Sequence, residues 1–346
     1  MASLRILLTP GDGIGPEVME EALKSLARIE ALYNHEFQYE TEIIGGAAID
    51  KYGTALRPET LTAAKSSAAV LFGAVGGPKW DDPAAKVRPE QAILGMRKGL
   101  GLFANIRPVR IHPLMIDDST LKPEVLEGTD MVVIRELTGG IYFGKPQKRW
   151  TTSRGRRAVD TMRYSETEVR RILQVGFEMA RQRRKKLTSV DKANILDTSR
   201  MWREIATEMA ADYPDVELEH ILVDAAAMHL IRRPSSFDVI VTENLFGDIL
   251  TDLGGAVAGG VGFAASANLN PDRTGPSLFE PVHGTAPDIA GQNKANPIAA
   301  IASAAMMLEF LGEADAAARV AAACEQPERY SGSTTEIGDA VAAAVS

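Results

Sequence analysis

Short, nearly continuous apolar runs recur along this chain, and each is followed by a turn and a stretch of helical period. Leu4–Leu8, Ala69–Val75, Val132–Ile134 and Val239–Val241 are too short for helices and carry little of the polar alternation of a half-solvated strand. Strands of this kind are buried on both faces, which calls for a largely parallel sheet covered by helices. Further strands are expected over Phe37–Ile44, Leu187–Lys192 and Glu217–Val223. Helices are expected over Glu17–Leu32, Pro58–Ser66, Pro89–Lys98, Glu166–Arg181, Thr198–Tyr213, Ala225–Ile231 and Ile298–Leu311. The fold class is therefore α/β. At 346 residues the chain exceeds one ordinary core, so two domains are expected.

Several function classes are disfavoured by composition. A net charge of −8 argues against nucleic acid or an anionic membrane as partner. No apolar run has the length of a membrane span, and the N-terminus lacks the charged and apolar regions of a signal peptide. The single cysteine, Cys324, cannot form an internal disulfide and fits a reducing cytoplasm. His35, His112, His220, His229 and His283 show no zinc-ligand spacing. A cytoplasmic enzyme acting on a small molecule is the expected class.

The segment Phe237–Gly255 carries the clearest chemistry. Its strand leads into Asn244–Gly247, read as a turn, and a helix is expected from Asp248 onward. Asp248 and Asp252 stand at i and i+4, on one helical face, where like charges repel. Two readings account for them: a hard divalent cation such as Mg²⁺ or Mn²⁺ offsets the repulsion, or both sit near a helix N-terminus whose dipole favours acids. Glu90, Ile93, Leu94 and Arg97 fall at i, i+3, i+4 and i+7. That face is either core-facing with a snorkelling arginine, or a small aliphatic pocket ending in a carboxylate clamp. Arg107 and Arg135 each follow a strand-like segment, and three converging arginines would suit a polyanionic small molecule.

Lys192 and Asp224 likewise stand where strands end, as does the glycine-rich loop Gly73–Gly77; ligands on α/β scaffolds gather at such ends. Gly11–Pro16 (GDGIGP) is not a Rossmann fingerprint, because the third glycine comes too early and a proline follows it. The basic stretch up to Arg157, containing Trp150, reads as a protruding hairpin, the glycine- and alanine-rich Gly254–Ala267 as a flexible or close-packed crossing, and Glu280–Gly291 as a loop.

With these residues in view, the chain resembles the β-decarboxylating hydroxyacid dehydrogenases, the family of the isocitrate and isopropylmalate enzymes. The motifs GDGIGPEV, FGAVGGPKWD, FANIRPVR, VIRELTGGIYFG, SVDKANIL, ENLFGDILTD and PVHGTAPDIAG occur in the family's order almost end to end. The resemblance implies a two-domain fold, not Rossmann, with a parallel or mixed sheet core. One discontinuous domain would take residues 1–102 and 259–346, and the other 103–258, with the dimer interface and an arm over about 143–163. It implies Arg97, Arg107 and Arg135 as the clamp on the substrate carboxylates. Asp224, Asp248 and Asp252 would be Mg²⁺ or Mn²⁺ ligands, with Asp224 and the proton acceptor Lys192 supplied by the partner subunit of a homodimer. Tyr142 would be the acid. The cofactor site would use Gly77 and Glu90 together with His283, Gly284, Thr285, Ala286, Asp288 and Asn296.

Two choices within the family are readable from the residues. Asp288 accepts hydrogen bonds from a free ribose hydroxyl and repels a 2′-phosphate, so NAD⁺ is favoured over NADP⁺. The substrate's third arm would meet Glu90, Ile93 and Leu94, an isopropyl-sized apolar face on which burying a further carboxylate is costly. Ile195 would extend that pocket across the dimer. Malate, tartrate or homoisocitrate dehydrogenation, and a non-catalytic metal- and anion-binding relative, are the competing expectations. Glu243, where many members of the family have glycine, and the turn QNKANP after Gly291 depart from the resemblance.

Overall fold

In the computed structural model the described residues are 3–82, 84–111, 116, 119, 121–258, 260–325 and 332–346. They separate into two compact units, the first holding the described residues of 1–102 and 259–346, the second those of 103–111 and 115–258.

In the first unit the chain runs β1 (Ser3–Gly11), α1 (Gly15–Tyr33), β2 (Glu36–Thr41), α2 (Gly45–Tyr52), α3 (Pro58–Ser66), β3 (Ala69–Ala74) and α4 (Gln91–Gly99). The second unit follows with β4 (Ala104–Arg110), α5 (Pro123–Leu126), β5 (Asp130–Glu136), β6 (Lys148–Thr152) and β7 (Gly155–Val159). It continues with α6 (Glu166–Arg181), β8 (Lys186–Asp191), α7 (Asp197–Ala210), β9 (Glu217–Leu222), α8 (Val223–Arg232), β10 (Val239–Thr242) and α9 (Asn244–Val257). The chain then returns to the first unit for β11 (Ala265–Leu269), β12 (Ser277–Pro281), α10 (Ile298–Phe310), α11 (Ala314–Cys324) and α12 (Thr334–Ala344).

The strand order is β2-β1-β3-β12-β11 in the first unit and β4-β5-β10-β8-β9 in the second. Each is parallel apart from one antiparallel pair, β11/β12 and β4/β5 respectively. A mixed sheet with fully buried central strands is what the apolar runs require. Leu7, Val70, Phe72, Met96 and Leu278 centre the first core, with Ile93 packed against it. Val109, Met131, Val133, Ile240, Leu250 and Phe237 centre one core of the second. Prolines at the first turn open α1 and α3, and Ser165 with Glu168 forms a capping box on α6. The basic stretch forms the antiparallel hairpin β6/β7, with Trp150 40% exposed.

Three expectations need correcting. Asn244–Gly247 is not a turn: α9 begins at Asn244, because the Glu243 carboxylate accepts the Phe246 N–H at 2.7 Å and caps the helix. Glu280 and Pro281 belong to β12 rather than to a loop. The segment Gly254–Ala267, read as a crossing, instead continues α9 to Val257 and opens β11 at Ala265.

Candidate active site

The longer α9 removes one of the two readings of its acids. Asp248 lies in the second turn, beyond the reach of the N-terminal dipole, so the dipole does not account for the pair. What surrounds it does. Arg135, at the end of β5, donates from Nη1 to Asp248 Oδ1 and from Nε and Nη2 to Asn244 Oδ1 at 3.0 and 2.8 Å. The Tyr142 hydroxyl donates to Asp248 Oδ2 at 2.8 Å, and the Arg135 guanidinium carbon sits 5.4 Å from the Tyr142 ring centroid. On β4, Arg107 donates to Thr251 Oγ1 at 2.6 Å and stands 3.5 Å from Asp252 Oδ1. Burial alone would push the Asp248 carboxyl up; the Arg135 charge, the Tyr142 hydrogen bond and the Arg107 charge together hold it below the usual carboxylate range.

These side chains are positioned by tight packing. Gly247 lets Arg135 lie across α9: a Cβ there would stand 2.6 Å from Arg135 Cγ. The turn bearing Tyr142 hangs on Glu136, whose buried carboxylate accepts the N–H groups of Thr138 and Gly139 and faces Arg171 at 3.2 Å. A left-handed φ of 72° at Gly140, against the Tyr164 hydroxyl, admits no larger residue.

Lys192, just after β8, pairs with Asp224 in the first turn of α8, with Nζ 2.6 Å from Oδ1. That hydrogen bond lowers the Asp224 carboxyl. Ile195 beyond it is 64% exposed. Within the second unit, then, Arg107, Arg135, Tyr142, Asp248 and Asp252 form one cluster, and Lys192 with Asp224 a pair. Among the described residues no three His, Cys, Asp or Glu side chains gather closely enough to hold a metal ion. The donors that α9 offers are hard carboxylate oxygens, which fit Mg²⁺ or Mn²⁺.

In the first unit, Glu90 takes the N-cap position of α4, Ile93 and Leu94 are half-buried, and Arg97 is buried. Arg97 donates to Asn268 Oδ1 at 3.1 Å and to Glu280 Oε1 at 3.2 Å. Around the expected cofactor loop, Ile14 donates its N–H to the Thr285 carbonyl at 2.9 Å, and a Cβ on Gly13 would strike that carbonyl. A Cβ on Gly76 would stand within 3.9 Å of the Glu90 and Thr285 side chains. The GDGIGP turn therefore serves to seat Thr285, a use its motif alone does not reveal. Asp288 is exposed. Burial lowers the His283 imidazole, keeping it neutral at pH 7. Asn296 accepts the Ile298 N–H at 2.9 Å, in the turn that leads into α10.

Asp12 was missed in the sequence. Its buried carboxylate accepts the N–H groups of Gly46, Ala47 and Gly76 at 2.7, 2.8 and 3.0 Å. An Asp between two glycines is a turn-former, and that was the available signal. Asn244, Asn268 and Glu280 were also missed, and lone polar residues in strands and helices give none.

Comparison with known proteins agrees with this architecture. The sequence model for isocitrate/isopropylmalate dehydrogenase matches residues 5–344. The chain belongs to the isocitrate/isopropylmalate dehydrogenase family. Within it, a 3-isopropylmalate dehydrogenase of Dehalococcoides mccartyi is 57% identical over 311 residues, covering 88% of this chain and 85% of that protein. One from Anaeromyxobacter dehalogenans is 51% identical over 335 residues, covering 96% and 94%. Among solved structures of the family, isocitrate dehydrogenase from Methylococcus capsulatus superposes with a TM-score of 0.86 at 34% identity, covering 99% of both chains. A β-decarboxylating dehydrogenase from Thermococcus kodakarensis gives 0.78 at 33%, covering 99% and 96%. The family fold thus carries more than one substrate, and residues rather than topology must separate them. No helix among the described residues is long and apolar enough to cross a membrane.

Proposed function

We propose that this protein oxidises (2R,3S)-3-isopropylmalate with NAD⁺ and decarboxylates the product to 4-methyl-2-oxopentanoate and CO₂, a step of leucine biosynthesis. The observation that carries the substrate choice is the half-buried aliphatic pair Ile93/Leu94, one turn before the buried Arg97 on α4. The names of the relatives at 51–57% identity agree with it.

Arg97, Arg107 and Arg135 bind the two malate carboxylates, and the aliphatic face takes the isopropyl group. Lys192 removes the C2 hydroxyl proton as the hydride leaves C2 for the nicotinamide, held at the loop of Thr285, Ala286 and Asp288. Loss of CO₂ from C3 leaves an enolate, and Tyr142 returns a proton to that carbon. Asp248 and Asp252, with Asp224 from a second copy of the chain, would hold a divalent cation, which supplies Lewis-acid stabilisation of the developing oxyanion. Asp248, already kept ionised by Arg135 and Tyr142, is ready as a ligand at neutral pH.

A homodimer with shared sites is supported by the exposed apolar Met228 and Ile231 on α8 and Ile249 on α9, at 56%, 42% and 57% exposure, on the two helices that carry these acids. Specific activity is expected to fall as dilution dissociates the dimer; a fully active monomer would refute the shared site. The substrate reading is tested by NADH absorbance with 3-isopropylmalate, isocitrate or malate, each with NAD⁺ or NADP⁺, in Mn²⁺. A rise with 3-isopropylmalate and NAD⁺ is expected. A rise only with another diacid would overturn the α4 reading, and none in any well, with the dimer intact, would favour a binding module.

A further inference from the structure

The cluster on α9 contains a residue that binds no substrate atom in the scheme above yet touches both of its halves. Asn244 is 1% exposed, and its Oδ1 accepts Nε and Nη2 of Arg135 at 3.0 and 2.8 Å. Its Nδ2 donates to the carbonyl of Gly139 at 3.2 Å, at the head of the short turn Gly140–Tyr142. The Tyr164 hydroxyl accepts its backbone N–H at 2.9 Å, which fixes Asn244 in turn. Arg135 and Tyr142 meet again at Asp248, so a closed circuit runs from Asn244 through Arg135, Asp248 and Tyr142 back to Gly139.

We propose that Asn244 is a positioning residue for the reaction, its one carboxamide fixing the substrate-clamping Arg135 and the turn that carries Tyr142 relative to each other. The inference rests on the reading of Arg135 as clamp and Tyr142 as acid. A carboxamide is suited to the task because it offers an acceptor with two lone pairs and a donor on one rigid plane. With Nε and Nη2 held by Asn244, the guanidinium cannot turn about its Cδ–Nε bond, and Nη1 stays aimed at the Asp248 face. The contact to Gly139 ties the same plane to the hydroxyl that must reach the reacting carbon. Misplacement by a fraction of an ångström at either end is felt in rate.

The test is steady-state kinetics on the folded dimer with Mn²⁺, NAD⁺ and 3-isopropylmalate. Asn244→Ala is expected to raise KM for the substrate about tenfold and to lower kcat about tenfold, the loss expected for hydrogen bonds at a charged group. Because Asn244 acts through its neighbours, its kcat effect shrinks to about twofold or less in a Tyr142→Phe background, and its KM effect shrinks in an Arg135→Lys background. A merely structural role predicts multiplicative effects in both backgrounds, and that result overturns the proposal. Asn244→Asp keeps the acceptor for Arg135 and turns an oxygen toward the Gly139 carbonyl, so it serves should the alanine variant fail to fold. Its kcat is expected to fall about tenfold, and wild-type kcat would overturn the proposal. Wild-type turnover is the control: a wild type that turns over nothing refutes the functional reading and this inference with it, whereas an active wild type matched by the Asn244 variants refutes this inference alone.

Discussion

Gly247→Ala sets helix propensity against packing at the site itself. Gly247 lies inside α9, so propensity alone predicts that alanine stabilises the protein by about 1 kcal/mol. The added methyl, however, would stand 2.6 and 2.7 Å from Cγ and Cβ of Arg135, with Cδ at 3.1 Å. Those are the near atoms of a side chain 2% exposed and tied at its far end to Asn244 and Asp248, so it cannot swing clear. Overpacking of this kind costs about 1–3 kcal/mol, which outweighs the propensity gain and leaves a net loss of up to about 2 kcal/mol. Arg135 relieves the clash by shifting, and because hydrogen bonds to charged groups contribute about 1.5–3 kcal/mol, KM for 3-isopropylmalate should rise about tenfold or more. Urea unfolding and initial-rate kinetics read the two effects separately. A variant more stable than wild type with unchanged KM would refute both the close approach and the role of Arg135.

Other consequences follow from single groups. On the acid role proposed for Tyr142, Tyr142→Phe should lower kcat about 100-fold or more with little change in KM, because it takes away a proton donor and no carboxylate-binding group; an equal loss in a substrate-affinity measurement would argue against that role. Trp202→Ala, at a site 2% exposed whose indole N–H donates to Ser189 at 3.1 Å, should cost about 3–5 kcal/mol in urea unfolding, and a loss below about 1 kcal/mol would contradict its place in the core. Burial raises the Glu243 carboxyl in the folded protein, against hydrogen bonds from the Phe246 and Leu245 N–H groups and from Tyr164. A raised acid binds more protons folded than unfolded, so its contribution to stability is present below the unfolded carboxyl range and lost as pH rises through the folded value. Glu243→Gln should therefore gain stability relative to wild type as pH rises from the usual carboxylate range through the raised folded value; a difference independent of pH would show that Glu243 does not titrate on that rise.

The architecture was legible because burial on both faces leaves a plain mark: runs such as Ala69–Val75 and Val239–Val241 have few other uses, and the helices Pro58–Ser66 and Glu166–Arg181 carry their start signals in Pro58 and Ser165. The start of α9 was not legible, because Glu243 is an uncommon cap and Gly247 inside the helix reads as a breaker. Only the close passage of Arg135 explains that glycine, and it is a contact between residues far apart in sequence. The same holds for the site. Asp248 and Asp252 announce themselves by spacing, whereas Asn244, Asn268 and Glu280 gain their roles from the arginines folded against them. The α4 face was visible as a period of apolar residues ending in arginine, but the partners of Arg97 lie on β11 and β12, strands that the small and polar residues around them concealed.

The measurement that tests the central claim most directly is the stoichiometry of NADH and CO₂ formed from 3-isopropylmalate and NAD⁺ by the purified protein in Mn²⁺. The account predicts equal amounts of the two, with 4-methyl-2-oxopentanoate as the organic product. NADH formed without CO₂ would mean that oxidation is not coupled to decarboxylation, and formation of neither would contradict the account as a whole.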